Sequence, residues 1–255
     1  MPLFHHRKKL SDDTMLNGAK VVTATHPKAV VSEQFRTVRT NIEFASIDAP
    51  IKTIMFTSAD TSEGKSTVSA NVAITWAQQG RKVLFVDADL RRPTLHSTFN
   101  VNNTQGLTTI LTQDKIESFR ETVQNTSVEN LSILTSGPIP PNPAELLNSH
   151  RMNKLIARLR EEFDIVVFDV PPMLTVTDAQ LLTAKVDGVV LVVRFGVTTK
   201  AAIARTKELL DLANANVLGY VMNDATGEAE GRGYGYGYGY GYGYGYGKTD
   251  GNGSK

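Results

Sequence analysis

Six short apolar runs alternate along the chain with longer segments whose apolar residues recur at helical spacing. The runs are Lys52–Thr57, Lys82–Val86, Leu131–Thr135, Ile165–Phe168, Gly188–Val193 and Val217–Met222. They are rich in Val, Ile and Leu and do not alternate with polar residues, which marks strands covered on both faces. Helices are predicted near Ser32–Ala45, Lys65–Gln79, Pro143–Leu147, Arg151–Phe163, Asp178–Lys185 and Lys200–Ala213. Asn142, Pro143 and Glu145 read as N-cap, N1 and N3 of one of them. Strand and helix in alternation predict an α/β fold, a mostly parallel sheet with helices on both faces. In such a sheet ligands bind beyond the carboxyl ends of the strands, so the residues just after each run carry the functional question.

The two ends of the chain read differently. About the first 25 residues are polar and aperiodic and predict a flexible arm over 1–25. Residues 227–255 hold 12 of the 20 glycines and seven of the eight tyrosines, at Tyr234, Tyr236, Tyr238, Tyr240, Tyr242, Tyr244 and Tyr246. Period-two alternation suits a strand, but glycine at every other position packs little and loses much entropy. A disordered, solvated Gly-Tyr tail is predicted there, leaving 26–226 as the folded domain.

Composition narrows the class. The chain of 255 residues carries 27 Lys+Arg against 26 Asp+Glu, a net charge of +1 that gives no general pull toward nucleic acid or an anionic membrane. The absence of cysteine removes disulfides and thiol catalysis and fits a reducing compartment. Arg7, Lys8 and Lys9 have no apolar stretch behind them, so no signal peptide is expected. No apolar run approaches the ~20 residues that span a bilayer. A cytoplasmic location is the expectation.

The chemistry begins after the first run, in Thr57-Ser58-Ala59-Asp60-Thr61-Ser62-Glu63-Gly64-Lys65-Ser66-Thr67. Gly-Lys-Ser-Thr opening a helix is the working half of a P-loop. Backbone N–H groups and the helix dipole hold phosphate, Lys65 reaches the β- and γ-phosphates, and the Ser66 hydroxyl ligates Mg2+. The general pattern wants Gly where Ala59 stands. A chance Gly-Lys-Ser is the plain alternative, and the strand–loop–helix setting weighs against it. The second run ends in Asp87-Ala88-Asp89-Leu90-Arg91, with both carboxylates on one side of a strand end. Beside a triphosphate they hold Mg2+ or accept a proton from an attacking hydroxyl. The fourth run ends in Asp169-Val170-Pro171-Pro172, where one carboxylate after an apolar strand meets the Walker B requirement. Three such sites in order point to a nucleoside triphosphate with Mg2+.

These residues together resemble the bacterial protein-tyrosine kinases of capsule and exopolysaccharide synthesis. The resemblance runs from about Glu33 to Asn223, with the tail in addition. In that family the Walker A motif opens with Ala or Ser, which Ala59 fits. A Walker A′ motif Asp-x-Asp-x-Arg matches Asp87, Asp89 and Arg91, and a Walker B motif Asp-x-Pro-Pro matches Asp169, Pro171 and Pro172. A motif Glu-x-x-Arg-x-x-Arg matches Glu33, Arg36 and Arg39, and Pro-Asn-Pro-Ala-Glu-Leu-Leu at 141–147 also looks like the family. A rival class with the same fold, the ParA/MinD-like positioning ATPases, carries an extra Lys where Asp60 stands and has no use for a tyrosine tail. A non-catalytic ATP-dependent scaffold is the other alternative.

The resemblance implies transfer of the γ-phosphoryl of ATP to tyrosine, mainly on the tail and between subunits. It implies ATP contacts from Ser62, Glu63, Gly64, Lys65, Ser66, Thr67 and Asn223, and Mg2+ near Ser66, Asp87, Asp89 and Asp169. Asp87 is the first choice for base, an order over Asp89 that leans on the family. Arg91 either neutralises phosphate or pairs with an aspartate. Glu33, Arg36 and Arg39 either form an intrahelical ion pair or meet a neighbouring subunit in a ring. Asp178 is expected to cap its helix, Asn223 to contact adenine or end a turn, and Trp76 to pack. The implied partners are a separate transmembrane adaptor that recruits the chain to the membrane and a tyrosine phosphatase, with no nucleic acid.

Overall fold

The computed structural model describes residues 16–45 and 50–225. The tail tyrosines and most of the expected N-terminal arm lie outside the described residues. After a short helix α1 (Val22–Thr25) come α2 (Val30–Ala45), β1 (Thr53–Ser58), α3 (Lys65–Ala77) and β2 (Val83–Asp87). The chain continues through α4 (Leu95–Phe99), α5 (Leu107–Thr112), β3 (Gln124–Asn125), β4 (Leu131–Leu134), α6 (Pro143–Asn148) and α7 (His150–Glu162). It closes with β5 (Ile165–Asp169), α8 (Asp178–Thr183), β6 (Gly188–Arg194), α9 (Lys200–Leu212) and β7 (Val217–Asn223). Every predicted strand and helix is present, with ends within two residues of expectation.

The strands form one sheet in the order β3-β4-β2-β5-β1-β6-β7. All neighbours are parallel except β3 with β4. Successive side chains point to opposite faces, and both faces are apolar. Met55, Leu84, Val86, Val166 and Phe168 join α5 to α9 in one core cluster. Ile54, Phe56, Val83, Phe85 and Val167 join α2, α3 and α4 in the other. This two-sided burial explains the unbroken apolar runs. The edge strand β7 is the exception, with Val217, Tyr220 and Met222 exposed.

Helix α3 shows why its sequence lacks a polar face. It lies between the sheet and helices α1 and α2, and from Val68 to Ala77 every residue is buried. Trp76 packs there as expected, its indole N–H donating to Glu43 of α2 at 3.0 Å. Among the described residues no helix is long and apolar enough to cross a membrane.

Two features depart from the sequence reading. Residues 16–25, expected to belong to a loose arm, include α1, and Thr23 is fully buried. The cause is Asn71 in α3. Its Oδ1 accepts from the Thr23 N–H (2.9 Å) and hydroxyl (2.8 Å), and its Nδ2 donates to the carbonyls of Lys20 (2.7 Å) and Thr67 (2.8 Å). The short helices α4 and α5 carry too few residues for a periodic signal. Asn142 stands at the N-cap of α6 with Pro143 behind it, as expected, and its amide donates to the Glu145 carboxylate at 3.2 Å rather than the Asn142 side chain capping a backbone N–H.

Removing the Asn71 amide leaves buried donors of Thr23 unpaired, which costs more than a net hydrogen bond. Asn71→Ala should destabilise the chain by about 2–4 kcal/mol in urea unfolding. A change within about 0.5 kcal/mol would show that this amide does not hold the N-terminal segment.

Candidate active site

The strand order puts β1 between β5 and β6, with β2 beyond β5. The P-loop that leaves β1 therefore stands beside the ends of β5 and β2. Parallel register sets Asp87 directly opposite Asp169. The diproline segment is fastened to the loop: the Thr57 hydroxyl donates to the Pro171 carbonyl (2.9 Å), and the N–H groups of Met173 and Leu174 donate to Ser58 and Ala59.

Gly64 occupies the left-handed region at φ 92°, and a Cβ there would lie 2.0 Å from the Asn223 amide nitrogen. Only glycine meets both demands. Lys65 then opens α3 and turns its ammonium into the cluster. Nζ lies 3.1 Å from Asp89 Oδ2, 3.5 Å from Asp169 Oδ1 and 3.3 Å from the Ser66 hydroxyl. Burial lowers the affinity of this amine for its proton, but Asp169 and Asp89 outweigh burial and hold the ammonium above its ordinary range.

The two Walker A′ aspartates differ. Asp89 spends Oδ2 on Lys65 and accepts the Arg92 N–H on Oδ1 at 3.0 Å. Asp87 accepts the N–H groups of Thr94 and Leu95 on Oδ2, both at 2.9 Å, which fastens the start of α4 to the strand end. Its Oδ1 is buried without a hydrogen-bond partner, and so is Oδ2 of Asp169. Burial, with Asp169 beside it, pushes the Asp87 carboxyl up to about 8. Burial also raises Asp169, against the pull of Lys65.

Unpartnered carboxylate oxygens on strand ends beside a phosphate loop fit a divalent cation held through water. Among the described residues no three His, Cys, Asp or Glu gather closely enough to hold a cation by themselves. Mg2+ in general keeps several waters and takes its other oxygens from substrate phosphates.

The remaining expected residues fall into two groups. Ser62, Ser66 and Thr67 belong to the loop and the first turn of α3. The Glu63 side chain is turned into the loop, where it accepts the N–H groups of Ala59 (2.9 Å) and Asp60 (3.2 Å). Asn223 donates to the Glu63 carbonyl at 3.0 Å, which joins the end of β7 to the P-loop. Arg91 pairs bidentately with Asp178, at 2.7 and 3.1 Å. Asp178 is fully buried in that pair, and the N-cap of α8 is Thr177, so the capping expectation for Asp178 is corrected. On α2, Arg36 pairs with Glu33 and reaches the Pro27 carbonyl, whereas Arg39 donates to the Thr75 carbonyl of α3. The three charges therefore do not share one free face. Sequence reasoning passed over Arg194 and Thr198, which contact the P-loop; the position of Arg194 at a strand end was the available signal.

A raised Asp87 carboxyl makes a pH prediction. The folded state favours its neutral form, against an unfolded value near 4. The associated stability is fully present below about pH 4 and is lost as pH rises through about 8. Asp87→Asn, which keeps an oxygen for Thr94 and Leu95, should raise the nucleotide-free Tm by at least ~3 °C at pH 8.5 and by less at pH 5. An equal or lower Tm at pH 8.5 would refute the electrostatic account.

Comparison with known proteins places this geometry. A family model described as an AAA domain matches residues 51–214. Tyrosine-protein kinase YwqD of Bacillus subtilis (strain 168) is 51% identical over 203 residues, covering 80% of this chain and 85% of that protein. The solved kinase domain of the Escherichia coli tyrosine kinase ETK superposes with a TM-score of 0.76 at 33% identity, covering 86% of this chain and 85% of that one. The septum site-determining protein MinD of Pyrococcus horikoshii OT3 superposes at 0.57 with 24% identity, over 67% of this chain and 69% of its own, and shares the fold alone. The resemblance drawn from the Walker motifs thus extends over most of the folded chain, which belongs to the bacterial protein-tyrosine kinase family and is a tyrosine-protein kinase.

Proposed function

We propose that the chain transfers the γ-phosphoryl group of ATP to tyrosines of its own C-terminal cluster, mainly between subunits. The observation that carries this reading is the arrangement of Lys65 among Asp87, Asp89 and Asp169 at the mouth of the P-loop, with one oxygen of Asp87 and one of Asp169 unpartnered. Mg2+, when bound near Ser66 and the three aspartates, supplies charge neutralisation for the phosphates. Lys65 neutralises phosphate charge and aligns it. Its hold on Asp89 and Asp169 keeps the ammonium in place before substrate arrives.

Asp87 is the proton acceptor. A phenol with pKa near ~10 is mostly protonated at neutral pH and benefits from a base; Asp87 Oδ1, which has no hydrogen-bond partner, is the oxygen that would take its proton. Asp89, engaged by Lys65 and Arg92, is an organiser. The phenol proton passes to Asp87 as its oxygen forms the new bond to phosphorus, and the bond to the ADP leaving oxygen breaks.

The tail supplies the acceptors. Glycine on both sides lets each tyrosine enter a cleft without steric hindrance. A glycine-rich linker of ~20 residues has in general an r.m.s. reach of roughly 25 Å, enough for a neighbouring site. Each phosphate adds about −1.5 to −2 charges, and the resulting repulsion loosens the assembly. The wider setting we propose is cytoplasmic, with recruitment by a separate transmembrane adaptor, reversal by a tyrosine phosphatase and control of capsular or exopolysaccharide synthesis.

Lys65→Met should abolish phosphotyrosine formation while the far-UV spectrum stays that of the parent. Near-normal kinase activity in the variant would remove Lys65 from the reaction. Mixing Lys65→Met protein that keeps its tail with active protein lacking residues 227–255 should label the inactive partner. Label confined to intact active protein would restrict the reaction to within one chain.

Ring formation through α2 is the second part of the proposal. Glu33 is exposed and Arg36 half-buried, and Arg39 braces α2 against α3. Replacing Glu33, Arg36 and Arg39 together by Ala should yield monomers in light scattering. Identical masses for variant and parent would assign these charges to intrachain pairing, worth only tenths of a kcal/mol on an exposed helix.

A further inference from the structure

The P-loop is laced to the ends of two strands that contribute none of the aspartates. The Glu63 carboxylate is buried and holds the N–H groups of Ala59 and Asp60 on Oε2. Its Oε1 accepts from the Thr198 hydroxyl at 2.6 Å. That hydroxyl oxygen accepts in turn from the Arg194 N–H at 2.8 Å, which leaves its hydrogen for Glu63. The Arg194 guanidinium reaches the Ser62 carbonyl with Nη1 (3.3 Å) and Asp224 Oδ2 with Nε (3.1 Å) and Nη2 (2.8 Å). One short loop after β6 thus grips the Ser62–Glu63 turn from both its backbone and its side chain.

The turn needs holding. Ser62 sits at φ 61°, in the left-handed region that residues with a Cβ seldom occupy. Such backbone persists where its surroundings over-determine it, and it gathers at functional sites. Arg194 bonds the carbonyl of that same residue.

We propose that Thr198 and Arg194 are positioning residues for phosphate binding, holding the Ala59–Gly64 turn in its receptive shape before nucleotide arrives. The proposal rests on the nucleotide reading of the P-loop. Preorganisation of this kind lowers the cost of ordering on binding. Losing the Thr198 hydroxyl leaves the buried Glu63 Oε1 without its donor, frees the carboxylate to turn outward and releases the N–H groups of Ala59 and Asp60.

The test uses the full chain and two readouts besides activity. Without nucleotide, Thr198→Val should speed amide exchange at Ala59 and Asp60 by about tenfold, as expected for loss of a buried hydrogen-bonded brace. Its Kd for ATP with Mg2+, by calorimetry, should rise about tenfold, while kcat at saturating ATP stays within about threefold. Thr198→Ser, which restores the hydroxyl, should return both readouts to within about twofold of the parent. Should Thr198→Val fail to fold, Arg194→Gln probes the same turn from its more exposed side and should weaken ATP binding in the same direction. Parent-like exchange and parent-like Kd in the folded variants would overturn the proposal while leaving the nucleotide reading intact. A parent chain that fails to bind ATP would overturn the nucleotide reading, and this proposal with it.

Discussion

At the ends of β2 and β5 the register of a parallel sheet sets two carboxylates side by side, and a third from the following turn joins them around one lysine. Three negative groups against one positive, nearly shut off from water, form an electrostatic debt within the folded chain. Its signs are the raised carboxyls of Asp87 and Asp169 and the firmly protonated Lys65. A cation that binds with a polyphosphate, as proposed above, would offset this imbalance. The surrounding structure serves to keep these four side chains from relaxing: the diproline loop fastened to β1, α4 fastened to Asp87, and the P-loop fastened from β6.

Much of this was legible in the chain because the signals were local. Apolar runs without alternation imply a sheet covered on both faces, and residues after such runs are the ones a parallel sheet exposes to ligand. Lys65, Asp87, Asp89 and Asp169 were found that way, and the structure brings all four together. What was not legible depends on pairs far apart in sequence. Arg91 and Asp178 are 87 residues apart, and nothing local to either announces the other. Asp178 follows a threonine at a helix start, so local reasoning favoured a cap. The bond between Glu63 and Thr198 spans 135 residues and was equally hidden.

Polar residues inside apolar segments were the underused clue. Asn71 lies in a helix otherwise fit for the core, and a buried amide demands four partners. It finds them in Thr23, Lys20 and Thr67, and thereby ties the N-terminal segment to the first turn after the phosphate loop. A residue that looked like a lapse in the hydrophobic pattern organises two parts of the fold. Arg39 is similar, since its guanidinium donates to the Thr75 carbonyl in the backbone of α3.

The single tryptophan of the chain sits where α2 meets the P-loop helix, its indole N–H bonded to Glu43. Indole emission follows the polarity and hydrogen bonding of its surroundings, so this protein carries a built-in optical gauge of that seam. Any event that shifts α2 against α3, whether assembly on one side or ligand on the other, is written into the colour of one fluorophore with no label added.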